Sequence, residues 1–358
     1  MKKFWMVMIS LAMVMAMAGC GAPEEEQPEE QISYDIAMVT DAGMIMDGGY
    51  SQVAWTAISE FGAAEGVSHK YYKAAEASEA AYREAIDNAV EKGAGIIIAD
   101  GYSFEDVVYN AQKTYEDVKF VLIDAEPVDQ KSGKTKIGDN TMTVIFASEQ
   151  AGYLAGYSAV KDGKTQLGFM GDSENPAFID YGYGFLQGAE AAAGETGTSV
   201  NVKYHYCTTD EQRSDVLDRA TSWYEGGTEA IFACGTQVEQ PVIEAAEFVD
   251  GKVIAFETDK SMMSDTVMTS AVKDVGDVLT DILKQYNKDE FPGGTIAGYD
   301  AENDGIGLAM ESSRFSSFTD DDYKAVYDAL ADGSVKVKKY DSGDIASLGL
   351  SAVTVTEE

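Results

Sequence analysis

The chain has 358 residues, 45% of them apolar, with 62 Asp and Glu against 26 Lys and Arg and a formal net charge of −36. That length accommodates two lobes of ordinary size. So acidic a surface argues against binding nucleic acid or an anionic membrane face, because both need basic surface.

Lys2 and Lys3 give a basic start. An apolar run over 4–18 follows, broken only by Ser10, and Ala16-Met17-Ala18-Gly19-Cys20 closes it. Small residues ahead of a Cys at the end of a short apolar stretch form a lipobox. The run is shorter than the roughly 20 residues that span a bilayer. Residues 1–19 are therefore expected to be a lipoprotein signal peptide, with Cys20 the lipidated first residue of the mature chain; the alternative is an uncleaved anchor helix. Stable anchoring takes more than one acyl chain. Residues 20–31 carry Glu24, Glu25, Glu26, Glu29, Glu30 and two prolines and read as a solvated acidic tether. These features predict a protein anchored by lipid on the extracytoplasmic face of the cell membrane, since no other segment is apolar enough to cross it.

Beyond the tether, short Val- and Ile-rich runs at 34–39, 95–99, 120–124, 166–170, 200–206, 230–233 and 252–256 read as parallel strands buried on both faces. Helical patterns lie between them, at 51–65, 78–92, 104–115, 148–160, 183–193, 213–224 and 241–248. The first places Val53, Ala54, Ala57, Ile58 and Phe61 on one face. The order β-α-β-α-β occurs twice, which predicts an α/β protein of two doubly wound parallel-sheet lobes. The expected division is 32–140 plus 257–290 for the N-terminal lobe and 141–256 plus 291–358 for the C-terminal lobe. On that division the strand and helix pattern of 259–287 returns to the first lobe. The strands at 295–299 and near 305–310 and the helix at 320–332 sit on the second. Repeated crossings make a multi-strand hinge with a ligand cleft beside it.

In such sheets ligand groups come from loops at the carboxyl ends of strands. In the first lobe that rule nominates Thr40, Asp41, Gly43, Asp47, Tyr50, Asp100, Gly101, Tyr102 and Asp124. In the second it nominates Gly171, Asp172, residues 207–210, Gly235, Thr236, Glu257 and Asp259. Cys207 and Cys234 end strand-like runs and read as buried small apolar residues, although a disulfide is permitted outside the cytoplasm. With no CxxC and no Cys/His cluster along the chain, no metal site is expected. The two histidines, His69 and His205, neighbour no nucleophile in sequence, and GxSxG, P-loop, HExxH and GxGxxG motifs are absent. No catalytic residue, cofactor or enzymatic activity is expected.

The stretch Val39-Thr40-Asp41-Ala42-Gly43, then Asp47-Gly48-Gly49-Tyr50-Ser51-Gln52 and Trp55, resembles the opening motif of the basic membrane protein family. Asn140 ahead of Glu149-Gln150-Ala151-Gly152-Tyr153-Leu154-Ala155-Gly156, then Gly168-Phe169-Met170-Gly171, Gly184-Phe185-Leu186-Gln187-Gly188-Ala189, Ser270-Ala271-Val272-Lys273 and Asp304-Gly305-Ile306-Gly307-Leu308 extend the likeness over the mature chain. These are substrate-binding lipoproteins of ABC transporters, including purine-nucleoside receptors. The resemblance implies a type I periplasmic-binding-protein-like fold, a monomer, and a permease as partner. It implies that Tyr50 stacks on a nucleobase, as aromatics do on any base. It further implies that Asp124 accepts ribose hydroxyls, that Thr40 and Asp41 touch the base, and that Lys273 faces the cleft. Gly171, Tyr183, Gly235 and Asp259 would close on the ligand from the second lobe, while Phe185 belongs to the core. Four departures stand out: Ser51 for Asn, Lys260 for Gln, Glu257 for Asp and Asp172 for Gly. Serine reaches less far than asparagine and offers fewer hydrogen bonds. A sugar or autoinducer-type receptor of the same fold, and a surface adhesin or sensor module, are the alternative functions.

Overall fold

A computed structural model describes residues 33–43, 45, 49–340 and 344–358. The signal and tether segments, Cys20, and Asp47 and Gly48 of the opening motif lie outside the described residues. The described elements begin with β1 (Ile36–Thr40), α1 (Tyr50–Glu65), β2 (His69–Lys73), α2 (Glu79–Glu91), β3 (Ile96–Asp100), α3 (Glu105–Thr114) and β4 (Lys119–Ile123). A small hairpin, β5 (Val128–Asp129) and β6 (Lys134–Thr135), leads to β7 (Thr141–Phe146). Then come α4 (Ser148–Lys161), β8 (Gln166–Gly171), α5 (Pro176–Thr196), β9 (Val200–Tyr206), α6 (Arg213–Glu225), β10 (Ala230–Cys234), α7 (Thr236–Val249), β11 (Lys252–Glu257) and β12 (Val267–Lys273). The chain ends with α8 (Val275–Tyr286), β13 (Thr295–Tyr299), β14 (Ile306–Leu308), α9 (Asp320–Ala331) and β15 (Val353–Glu357).

Two sheets organise these elements. One has the order β13-β7-β4-β3-β1-β2, parallel throughout; the other is β14-β12-β11-β10-β8-β9-β15, parallel except for the β12–β14 pair. The central strands are apolar and buried along their length, as in β1 and β10, which is why they read as continuous apolar runs. The two α/β lobes match the fold expected from the alternation of elements.

Three strands sit elsewhere than expected. β7 and β13 pair with each other in the first sheet, and β12 lies in the second beside β11. An apolar strand such as β7 or β12 announces its burial but not its sheet, and the β7–β13 pair joins segments far apart in sequence. Only α8 of the 259–287 segment returns to the first lobe, where it packs on α1 and Tyr286 Oη donates to Asp35 at 3.1 Å. No strand was expected after the 320–332 helix; β15 forms there, pairs with β9 and makes the edge of the second sheet.

Among the described residues the chain therefore passes between lobes at Ala147, at Asp274 and over 300–305. The three passages are joined through their backbones: Ala147 N–H donates to Tyr299 O at 2.8 Å and Asp274 N–H donates to Gly305 O at 2.9 Å.

The second lobe is built around a close crossing of α4 and α5. A Cβ on Gly152 or Gly156 would collide with the backbone of Tyr181 or Phe185, and one on Gly184 or Gly188 with that of Glu149 or Tyr153. Small residues at i and i+4 on both helices let the backbones meet, with Leu154, Phe185 and Leu186 wholly buried around the contact. These glycines also explain why α5 is longer than its sequence pattern: Gly182 and Gly184 interrupt the apolar period without ending the helix.

Candidate ligand-binding site

The carboxyl ends of both sheets open onto one cleft cavity of 610 Å³, within the range of small-molecule sites. Asp41, Tyr50, Ser51 and Asp100 line it from the first lobe. From the second come Thr236, Glu239, Phe256, Glu257, Lys260 and Met263.

Lys273 closes the back of this site. It is the last residue of β12, immediately before a passage between lobes. Its side chain is 2% exposed, and Nζ lies 2.7 Å from Asp124 Oδ2 and 3.5 Å from Glu257 Oε1. Asp124 follows the end of a first-sheet strand and Glu257 ends a second-sheet strand, so one ammonium joins carboxylates of both lobes. Both carboxylate residues sit at positive φ, 53° and 61°, a conformation that costs a non-glycine residue about 1 kcal/mol or more. Asp124 Oδ1 also accepts from Phe146 N–H at 3.0 Å, which ties it to the hinge. Burial pulls the Lys273 ammonium toward neutrality, yet Asp124, Tyr181 and Glu257 hold its pKa well above the ordinary value. It stays charged. The ammonium also lies 5.9 Å from the centre of the Tyr50 ring and 5.2 Å from that of Tyr181.

Asp100 is different. Among the described residues no hydrogen bond reaches its carboxylate. Burial, then Glu257 and Asp124, push its pKa well above the ordinary value against the pull of Lys273. Tyr50 is buried with a hydroxyl that has no partner among the described residues, and its pKa is raised by burial and then by Asp124, so the phenol keeps its proton and remains a donor. Across the cleft, Glu239 and Lys260 form a buried pair at 3.4 Å, each side chain 7% exposed. Burial raises Glu239 to about 7 even with Lys260 opposing. The distance taken alone describes a fixed ion pair, but the cost of burying the charge is the larger influence. Glu239 is thus poised between acid and carboxylate at neutral pH.

The other expected site residues are dispersed. Thr40 is buried with an unpartnered hydroxyl, and Asp41 accepts from Gly43 N–H at 2.8 Å at the cleft edge. Gly101, at φ 86°, opens a single 3-10 turn that leaves Tyr102 56% exposed, away from the cavity lining. Gly171 is buried against the Tyr206 ring. Tyr183 lines a separate cavity with Tyr204, Tyr206 and Tyr340. Gly235 starts α7 at φ 129° and abuts Asp172, so it shapes the backbone. Asp259 is committed to a turn, accepting from Ser261 N–H at 2.9 Å and Ser312 Oγ at 2.7 Å. Phe185 is core. Cys207 and Cys234 are free and buried, without a disulfide.

The second-lobe contacts that the sequence did not place are Glu239 and its pairing with Lys260. Pro241 had set the expected start of α7 at 241, one turn too late; the helix begins at Thr236 with the proline inside it. Reading Gly235-Thr236 as a cap would have put Glu239 in the first turn, facing the cleft.

The Bmp family model, described as ABC transporter substrate-binding protein PnrA-like, matches residues 35–339. The chain is 26% identical over 92% of its length to the ABC transporter nucleoside-binding protein BmpA of Lactococcus lactis, covering 96% of that protein. It is 24% identical over 92% of its length to the CD4+ T-cell-stimulating antigen of Listeria innocua, covering 96% of that protein. In structure it resembles an ABC transporter solute-binding protein from Aeropyrum pernix, with a TM-score of 0.72, 16% identity, and coverage of 88% of this chain and 95% of that one. Among the described residues no helix is long and apolar enough to cross a membrane.

Proposed function

Since the chain belongs to the Bmp family of PnrA-like ABC transporter substrate-binding proteins, we propose that its cleft captures a nucleoside and that the loaded protein delivers it to a permease from the extracytoplasmic face, held there by lipid on Cys20. The family is one of binding proteins, so the ligand is held and released without catalysis. The observation that carries the ligand assignment is the lining of the cleft. A buried tyrosine and an unbonded, desolvated carboxylate lie on one wall, and a carboxylate–lysine pair lies opposite. Tyr50 and Phe256 offer aromatic faces to a base. Asp100 offers two acceptor oxygens to vicinal hydroxyls, with Asp124 behind it. Glu239 and Lys260 offer an acceptor and a donor to a purine edge, where the shorter Ser51 does not reach. The nucleoside-binding relative supports the same class of ligand.

Closure follows from differential contact. A ligand shifts the open–closed balance only through groups it meets better in the closed form, and here those are on α7 and the loop after β11. The carboxylate-rich lining also suits a free sugar, which needs no flat slot. A thermal-shift screen of the purified chain against nucleosides, free bases, pentoses and hexoses separates the two. At 100 times its dissociation constant a ligand adds about 2.7 kcal/mol of stability. A shift with purine nucleosides and not with pentoses or hexoses is the expected result. A shift with sugars alone overturns the nucleoside assignment, and no shift with any of the four classes overturns it too.

A further inference from the structure

Away from the cleft, the end of β9 gathers three different metal-binding side chains. His205 and Cys207 are two apart, so they project to the same side, and the turn that leads into α6 brings Glu211 back over them. The imidazole nitrogen, the thiol sulfur and a Glu211 oxygen lie within 4.8 Å of one another. The His205 and Glu211 side chains are each 7% exposed, and Cys207 is equally buried.

The hydrogen bonds around the cluster determine what it lacks. His205 Nδ1 is 2.5 Å from the main-chain oxygen of Glu358, which can only accept, so Nδ1 carries a proton. His205 Nε2 then faces Glu211 Oε2 at 3.0 Å. A lone pair and a carboxylate oxygen do not sit at that distance unless a proton or a cation lies between them. Glu211 is held from outside as well: Arg219 Nη2 donates to Oε1 at 3.2 Å and Thr208 N–H donates to Oε2 at 3.3 Å. A ring nitrogen bonded to a main-chain oxygen and a carboxylate oriented by its neighbours are the outer contacts that metal-ligating histidines and carboxylates have.

We propose that His205 Nε2, Cys207 Sγ and Glu211 Oε2 bind one zinc-type divalent ion, the thiol proton leaving to solvent. One nitrogen, one sulfur and one oxygen suit a borderline-soft ion, and three protein ligands leave one tetrahedral position for water. The ion would fasten the end of β9 to the turn before α6, and none of its ligands lines the ligand cleft.

Cobalt(II) tests this. A cobalt–thiolate bond gives a near-ultraviolet charge-transfer band that the many surface carboxylates cannot produce. The full chain is titrated under reducing conditions in a Cys20→Ser background, which leaves Cys207 and Cys234 as its thiols. The expected result is a band that saturates at one equivalent, disappears on adding Zn²⁺, persists in Cys234→Ser and is missing in Cys207→Ser and His205→Gln. Arg219→Gln, which removes the hydrogen bond that orients Glu211 without removing a ligand atom, should weaken cobalt binding by about 10- to 100-fold. Circular dichroism of each apo variant establishes that it is folded. Absence of the band in the folded parent chain, or its persistence in Cys207→Ser, overturns the site and leaves His205–Glu211 as a plain imidazolium–carboxylate pair. Should Cys207→Ser fail to fold, an undiminished band in folded His205→Gln overturns it equally.

Discussion

The α4–α5 crossing and the cleft are both buried, yet they are built by opposite means. At the crossing, four glycines bring two backbones into contact, and the surroundings are apolar and filled. In the cleft, carboxylates outnumber cations, the Tyr50 hydroxyl has no partner among the described residues, and 610 Å³ stays open. The crossing gains stability from complementarity that already exists. The cleft retains unmet electrostatic demand that a ligand can supply. Substitutions should accordingly harm the first through shape and the second through charge.

The contrast is sharpest at Gly188. A β-branched side chain there drives into the backbone of Tyr153 and Tyr157, so Gly188→Val should lose more than about 4 kcal/mol, read as loss of a cooperative unfolding transition. In the cleft, Lys273→Met leaves the partly buried Asp124 and Glu257 without their cation and should cost about 3 kcal/mol in chemical denaturation. Stability unchanged in that variant would remove the distinction between the regions. Asp100→Asn should act in the opposite sense. It replaces a carboxyl whose ionised form is disfavoured by burial and by Glu257 and Asp124, and is expected to stabilise the ligand-free protein by about 1 kcal/mol. The same change should weaken nucleoside binding about tenfold in calorimetry, because a carboxyl oxygen that accepts is exchanged for an amide nitrogen that cannot. The smallest effect concerns pH. Glu239 has a folded pKa of about 7 against an ordinary 4.5, so between those values the folded state binds more protons than the unfolded one. Stability should fall as pH rises through that window. Replacing it by Gln should flatten the profile of unfolding free energy against pH there by an amount on the order of 1 kcal/mol; an unaltered profile would show that Lys260 neutralises the burial cost completely.

The same contrast explains what the sequence made legible. The strands and helices stand out because local patterns encode them: the apolar runs of β1, β3 and β10 and the periodic faces of α1 and α2 need no distant information. Sheet membership of β7, β12 and β13 does need it: β7 and β13 pair with each other from distant parts of the chain, and β12 stays beside β11 although the helix after it belongs to the first lobe; all three were assigned to the other lobe. In the site, the strand-end rule reached Asp41, Tyr50, Asp100, Thr236 and Glu257, which do line the cavity. Gly171 and Asp259 came from the same rule and Tyr183, inside α5, from resemblance, but a strand end also has a side facing away. Tyr206 packs on Gly171, Tyr340 packs edge-on against Tyr183 and Ser312 bonds Asp259. His205, Cys207 and Glu211 were invisible as a set because a turn, not a spacing motif, brings the third to the first two.

The three passages between the lobes carry a mechanical consequence. A single tether leaves two bodies free to twist, slide and bend. Here the middle passage is stitched to both outer ones, at Ala147–Tyr299 and Asp274–Gly305, so shear between neighbouring passages would break backbone hydrogen bonds. Bending across them breaks none. The lobes are left with one soft coordinate, an opening angle.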